Sequence, residues 1–222
     1  MDDSILKFLF QISILVFSVV IHEVSHGYAA LALGDTTAKD EGRLTLNPIP
    51  HIDPFGSVLL PALAYFSTGF IFGWARPVPF NPYRLRNPFG KFGSGKNWGP
   101  AMVGVAGPLA NVFLAVAFGI VLRFLPAFAS AIPGHFLFNF VSIVSVIVLL
   151  NLTLAVFNLI PIPPLDGSKV LFSILPYSWR GLQNFLEQYG FFILIFFIFF
   201  LSDWIFPAVL SLFSIITGSS PF

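Results

Sequence analysis

Three ionisable residues stand close together in an otherwise apolar stretch of the chain, namely His22, Glu23 and His26. The two histidines are four positions apart, so they lie on one face of a helix, where two imidazoles can share one metal ion. Glu23 lies on a different face of the helix, but its carboxylate can still reach a water molecule at that metal and accept its proton. The spacing therefore predicts a metal site that activates water for hydrolysis.

The alternative is that the two histidines are unrelated and that another group neutralises the glutamate. Ionisable side chains are costly inside a membrane segment, and those found there are usually functional. Because apolar residues surround these three, the alternative needs several more polar groups inside the membrane to bind their side chains. H-E-x-x-H is also the arrangement of zinc peptidases, in which the glutamate is the general base. The pattern therefore favours a catalytic zinc site.

A catalytic zinc site needs a third protein ligand and an open position for water. Asp166 is a candidate, because it follows a long apolar run within Asn-Leu-Ile-Pro-Ile-Pro-Pro-Leu-Asp-Gly, residues 158–167. At 1.5 Å per residue, His22 lies roughly 26 Å into the first helix, which places it near the membrane side where Asp166 emerges. The alternative for Asp166 is an ordinary proline-rich turn at a membrane exit.

The composition of the 222-residue chain indicates that this site lies in a membrane protein. Hydrophobic residues make up 56% of the chain and charged residues only 9%, whereas soluble proteins carry about 25% charged residues. This excludes a soluble enzyme, a disordered regulator and an ordinary basic nucleic-acid binder. The chain has no cysteine, so disulfides and thiolate metal sites are excluded too.

Apolar runs of about 20 residues, the length that spans a bilayer, predict an all-α polytopic membrane protein with one membrane-embedded domain over residues 1–222. The predicted helices cover about 5–33, 100–125 and 136–160, and two flanking helices at the carboxyl end cover 185–201 and 204–217.

Residues 55–75 are also apolar, but proline and glycine interrupt them. The positive-inside rule places the basic loop 76–100 in the cytoplasm, which conflicts with a spanning 55–75 if the first helix runs inwards. We therefore expect a small membrane-associated β/re-entrant region around 55–75, with an ordinary spanning helix as the alternative. This topology predicts a multi-pass protein of the cell membrane with its active site toward the cytoplasm.

The motif at residues 22–26 and the Asn-x-x-Pro-x-x-x-Leu-Asp-Gly pattern at 158–167 together resemble the site-2 protease family of intramembrane zinc metalloproteases. Gly-Pro-Leu-Ala-Asn at 107–111 is a third element similar to this family, and Gly-Arg-Leu-Thr-Leu-Asn-Pro at 42–48 is similar to the short prokaryotic type without accessory domains. The resemblance implies that the zinc ligands and the acid/base belong to these motifs. It also implies a three-helix catalytic core, formed by the core helices at about 5–33, 100–125 and 136–160. One Zn²⁺ per chain is then held by His22, His26 and Asp166, with Glu23 as the catalytic acid/base.

Two asparagines and one further histidine have weaker assignments. The resemblance implies that Asn111 steadies the substrate carbonyl or its oxyanion; the alternative is a hydrogen bond between neighbouring helices. Asn158 either contacts substrate or orients the Asp166 segment, unless it caps the broken helix end. His51 is expected in a turn at the membrane surface, and its role stays open.

The resemblance implies hydrolysis of peptide bonds in or near transmembrane segments, as in regulated intramembrane proteolysis. The expected partners are a transmembrane protein or a signal-peptide remnant as substrate, and the lipid bilayer, but no nucleic acid. An unwound substrate needs new backbone partners, and Thr45-Leu46 and Val78-Pro79-Phe80 are extended candidates. The alternatives are a zinc-binding membrane transporter, for which no internal symmetry is visible, and a non-catalytic membrane-protein binder. Substrate identity and oligomeric state stay open.

Overall fold

The computed structural model describes residues 3–68, 73–87, 98–131 and 133–219. Their contacts form two compact units, Met1–Gly107 and Pro108–Phe222. The metal-binding motif lies in the first unit and the Asp166 motif lies in the second.

The described residues are mostly helical. In chain order the α-helices are α1 (Asp3–Ala32), α2 (Thr37–Asp40), α3 (Leu60–Thr68), α4 (Gly99–Phe124), α5 (Gly134–Asn158), α6 (Gly167–Ile174) and α7 (Arg180–Thr217). Shorter helical turns cover Ile49–His51, Pro54–Leu59, Leu125–Ala131 and Tyr177–Trp179. The predicted all-α architecture is therefore confirmed.

Within the described ranges, four helical stretches are long and apolar enough to cross a membrane, namely Ile5–Ala32, Gly99–Phe128, Gly134–Asn158 and Tyr177–Ile198. The helices α1, α4 and α5 match the three predicted core helices to within two residues at each end. A spanning helix satisfies its own backbone hydrogen bonds, so a run of apolar residues is enough to specify it.

The predicted β structure is wrong for the part of the chain that the structure describes, because none of those residues belongs to a strand. Pro54–Leu59 forms a π-helical turn that continues directly into α3. Its start is capped by Asp53, whose Oδ1 accepts a hydrogen bond from the Gly56 amide at 2.6 Å. A re-entrant course for 55–75 finds no support here, and residues 69–72 lie outside the described ranges.

A single 38-residue helix, α7, takes the place of the two flanking helices expected at 185–201 and 204–217. The polar Ser202-Asp203 pair separates the two predicted helices and lies shortly before Pro207. Proline removes one helical hydrogen bond and usually kinks a helix, but apolar helices of membrane proteins tolerate it. Pro207 accordingly lies inside α7.

An irregular segment, residues 73–87, lies along the carboxyl half of α1 in the first unit, and we call it the strap. The Arg86 amide donates to the Leu33 carbonyl at 2.8 Å, and the Asn81 amide donates to Asp35 Oδ2 at 2.6 Å. Leu85 of the strap also packs into a small core with residues from α1 and α4. The strap is therefore fixed to the end of the helix that carries the histidines.

The second unit is held by apolar packing among the later part of α4, α5 and α7. Its buried core consists of Ala115, Leu122, Val144, Val148, Leu152, Val209 and Phe213. After α5 the chain makes a proline-rich turn, which includes a cis peptide between Pro163 and Pro164. This turn ends at Asp166, directly before α6.

Candidate metal centre

The two motif histidines face each other on α1. His22 and His26 are both buried, and their Nε2 atoms lie 3.1 Å apart. Ligand atoms of His22, Glu23 and His26 all lie within 4.8 Å of one another. Two Zn–N bonds of about 2.05 Å at a tetrahedral angle would separate the nitrogens by about 3.3 Å. The spacing of the histidine pair therefore fits a zinc ion.

The orientation of His26 is set by a carbonyl from another helix. His26 Nδ1 lies 2.6 Å from the Val103 carbonyl oxygen in α4. Because a carbonyl can only accept, Nδ1 carries the proton and Nε2 keeps its lone pair for a metal. Such a hydrogen bond to the second ring nitrogen is the usual support for a metal-bound histidine.

Gly107, one helical turn after Val103, leaves space beside both imidazoles. A Cβ atom at Gly107 would lie 2.5 Å from Nε2 of His22 and 2.5 Å from Nε2 of His26. These distances are far below ordinary van der Waals contact. The structure therefore places Gly107 against the two nitrogens that would bind the metal.

Glu23 is held by the strap. The Val78 amide donates to Glu23 Oε2 at 2.8 Å, and Val78 is buried. The strap approaches α1 this closely because residue 27 is glycine: a Cβ there would lie 3.0 Å from Val78 Cγ1 and 2.5 Å from Leu44 Cδ2. The sequence gives no local signal for this contact, which joins residues 55 positions apart.

Arg43, which has no role in the sequence-based prediction, also contacts the strap. Its buried guanidinium donates from Nη2 to the Arg76 carbonyl at 2.8 Å and to the Pro77 carbonyl at 3.3 Å. Burial lowers the pKa of Arg43, and the neighbouring Arg76 charge lowers it further. Arg43 therefore fixes the strap one residue before the amide that contacts Glu23.

His51 lies in a turn as expected, and its side chain is buried in the protein. It is 1% exposed, its Nε2 donates to the Thr45 carbonyl at 3.0 Å, and its own carbonyl accepts from the Arg76 amide at 2.8 Å. Burial lowers the pKa of His51. The residue is thus a buried link between the loop after α2 and the strap.

Asp166 lies in the second unit, immediately before α6. Its side chain is buried, and its Oδ1 accepts an ion-pair hydrogen bond from Lys169 Nζ at 2.6 Å. A Cβ at the next residue, Gly167, would collide with the carbonyl oxygens of Leu159 and Ile160. The Asp-Gly pair therefore forms a tight turn with a buried carboxylate. The structure brings His22, Glu23 and His26 together in the first unit.

The two predicted asparagines also lie in the second unit. Asn111 of α4 is fully buried and donates from Nδ2 to Oδ1 of Asn151 in α5 at 2.8 Å. The interhelical hydrogen bond considered for Asn111 is therefore present, with a partner that the sequence analysis missed. Asn158 donates to the Leu154 carbonyl at 3.0 Å, within the last turn of its own helix.

Comparisons with known proteins point to one family. The model of peptidase family M50 matches residues 129–201, a range that contains Asp166. "Putative zinc metalloprotease YwhC" of Bacillus subtilis is 37% identical over 177 residues, covering 80% of this chain and 74% of that protein. "Putative zinc metalloprotease Rip2" of Mycolicibacterium smegmatis is 32% identical over 193 residues, 85% of this chain and 66% of that protein. No solved structure gives a significant match.

The match to the Bacillus subtilis relative covers four-fifths of this chain and 74% of that protein. The family match over residues 129–201 points to the same family. The chain therefore belongs to peptidase family M50, the zinc metalloproteases of the site-2 type that its motifs resemble.

Proposed function

We propose that this protein is an intramembrane zinc metalloprotease that hydrolyses peptide bonds in or near transmembrane segments of membrane proteins. The observation that carries the proposal is the pair of facing Nε2 atoms, 3.1 Å apart, with a glutamate beside them. These residues belong to a helix that is long and apolar enough to cross a membrane. Membership of family M50 supports the same reaction.

In this proposal His22, His26 and Asp166 hold one Zn²⁺. Support for the histidine pair comes from its spacing and from the Val103 carbonyl that sets the His26 tautomer. Support for Asp166 comes from its buried carboxylate in the Leu-Asp-Gly motif, inside the range that matches family M50. When bound, zinc supplies a Lewis acid that polarises the scissile carbonyl and makes water nucleophilic near neutral pH.

In this proposal Glu23 transfers a proton from the attacking water to the leaving amine. Its carboxylate accepts a proton from the attacking water as the water oxygen bonds to the carbonyl carbon. Glu23 then returns this proton to the leaving amine as the C–N bond breaks, so the residue ends the cycle ionised. We keep Asn111 as the donor to the developing oxyanion, because its hydrogen bond to Asn151 fixes the orientation of its carboxamide.

The substrate in this proposal is a transmembrane protein or a signal-peptide remnant whose helix unwinds locally. Its freed backbone groups need partners from the protein, since lipid offers none. The strap carries three arginines and no acidic residue within residues 76–86. That charge bias supports a cytoplasmic position for this face of the first unit, and with it an active site toward the cytoplasm.

Co-expression with a panel of tagged single-span membrane proteins tests the function. Wild type and Glu187→Gln, which changes an exposed glutamate on α7, should both release a cleaved product. Glu23→Gln should release none while it retains zinc, because the metal ligands are intact. Cleavage that survives in Glu23→Gln would refute the acid/base role. Zinc uptake into cells without any cleavage by wild type would indicate a transporter instead.

A further inference from the structure

We propose that the strap is a positioning element for the general base, and that it acts through the amide of Val78. The inference rests on the proposed function, which makes Glu23 the acid/base. A glutamate side chain on a helix has three rotatable bonds, and ordering it costs conformational entropy. A general base must also lie within about 2.6–3.2 Å of the proton that it removes. A hydrogen bond that fixes one carboxylate oxygen leaves the base oriented before the substrate arrives.

The two prolines around Val78 determine which backbone amide of this part of the strap can donate to Glu23. Val78 stands between Pro77 and Pro79, and proline has no amide hydrogen. Among these three residues only Val78 can therefore donate, and its amide lies 2.8 Å from Glu23 Oε2. A hydrogen bond to an ionised acceptor is roughly twice as strong as one between neutral groups.

Contacts just before Val78 keep this amide in place. Arg43 holds the carbonyls of Arg76 and Pro77 through Nη2. The Arg76 amide donates to the carbonyl of the buried His51 at 2.8 Å. Both backbone groups of Arg76 are thus bound, two residues from the amide that meets Glu23. Gly27 lets the strap lie against α1 at this point.

The test replaces the Val78 amide by an ester, through Val78→α-hydroxyisovalerate in the full chain purified in detergent. This change replaces the Val78 backbone N–H by an oxygen, which cannot donate, and keeps the valine side chain. The matched control is the ester at Asn81, which removes another amide-to-carboxylate hydrogen bond of the strap, the one to Asp35. The substrate is the single-span protein that wild type cleaves in the co-expression experiment.

The expected result is a fall in kcat of about 10- to 100-fold for the Val78 ester, as for loss of a hydrogen bond to a charged group. KM and zinc content should stay within about twofold of wild type, because neither substrate binding nor the metal ligands change. The Asn81 ester should keep kcat within about threefold. An unchanged kcat in the Val78 ester, or loss of its zinc, would overturn the proposal.

A spectroscopic measurement keeps the inference testable if no substrate is found. The chain has three glutamates, Glu23, Glu41 and Glu187, so the Glu41→Gln/Glu187→Gln variant carries a carboxylate from glutamate only at position 23. Glutamate labelled with ¹³C then reports this group in the infrared at one fixed pH. The Val78 ester should shift the carboxylate band and the Asn81 ester should not. An identical band in all three proteins would refute the contact, whereas absence of cleavage by wild type would refute only the proposed function.

Discussion

The substitution Gly107→Ala places one methyl group against the two nitrogens that the proposal assigns to zinc. The added Cβ would lie 2.5 Å from both Nε2 atoms and 2.6 Å from Cε1 of His22. Ordinary contact begins near 3.4 Å, so each ring would have to move by almost 1 Å. The His26 ring cannot do so while Nδ1 keeps its 2.6 Å hydrogen bond to the Val103 carbonyl.

Metal sites tolerate much smaller displacements, since ligand distances stay within about 0.2 Å of their usual values. Overpacking by one methyl group costs about 1–3 kcal/mol. If that cost falls on the bound state, zinc affinity drops by about 5- to 150-fold. Alanine is a better helix former than glycine by about 0.8–1.0 kcal/mol, so weakening of α4 cannot explain the loss.

Competition with a zinc chelator, measured on the purified protein in detergent, gives the affinity. Gly119→Ala is the matched control, because it adds a methyl group to the same helix in a crowded position, against Ile216. This control should change stability and leave zinc affinity unchanged. Equal zinc affinity in Gly107→Ala and wild type would refute the reasoning, and so would an equal loss of affinity in both variants.

Three further predictions concern residues around the candidate site. Asn111→Ala should lower kcat by about 10²–10³-fold with zinc retained, the usual effect of removing an oxyanion donor, and Asn151→Leu should lower it less; both are measured by cleavage rates. Arg43→Lys should lose the two-carbonyl contact to the strap and speed amide exchange there by about 10- to 100-fold, as seen by mass spectrometry. Because the pKa of His51 is lowered by burial, its contribution to stability is present above about pH 6.5 and is lost as the pH falls through its folded value. Thermal unfolding between pH 5 and 8 should show this dependence in wild type and in His135→Gln, but not in His51→Gln.

Each of these predictions has a contrary outcome. Full activity in Asn111→Ala would leave the Asn111–Asn151 pair a purely structural contact between helices. Unchanged exchange in the strap of Arg43→Lys would mean that other contacts suffice to hold it. An acid dependence of unfolding that persists in His51→Gln would assign the proton uptake to another group.

Local patterns made much of this protein predictable from its sequence. The i, i+4 spacing of His22 and His26 requires only that α1 be a helix, and the spans α4 and α5 require only long apolar runs. Each of these features depends on residues within one helix. Their bounds and the geometry of the histidine pair consequently agree with the sequence analysis.

Contacts between distant residues were not predictable in the same way. The hydrogen bond from Val78 to Glu23 joins positions 55 residues apart, and Arg43 reaches a carbonyl 33 residues away. Neither residue type nor spacing signals such a pairing. The burial of His51 was not predictable for the same reason, since part of it comes from the strap, whose Arg76 amide donates to the His51 carbonyl.

The absence of β pairing in the described strap follows from its own sequence. Pro77, Pro79 and Pro82 supply no amide hydrogens, so a regular ladder cannot run through these positions. Several of the remaining amides instead bond to Glu23, to Asp35 and to the carbonyls of Leu33 and His51.

Irregular backbone beside a membrane helix is tolerated only when protein groups satisfy it. The strap meets this condition by using carboxylates on and just after α1, and Glu23 is one of them. The bond that satisfies the Val78 amide is therefore the same bond that orients the proposed base. A substitution that restores an amide within the strap, such as Pro79→Ala, adds a donor that needs a new partner. Disturbing the strap at Val78 should consequently disturb Glu23 as well, which couples the local fold of the first unit to the chemistry proposed for it.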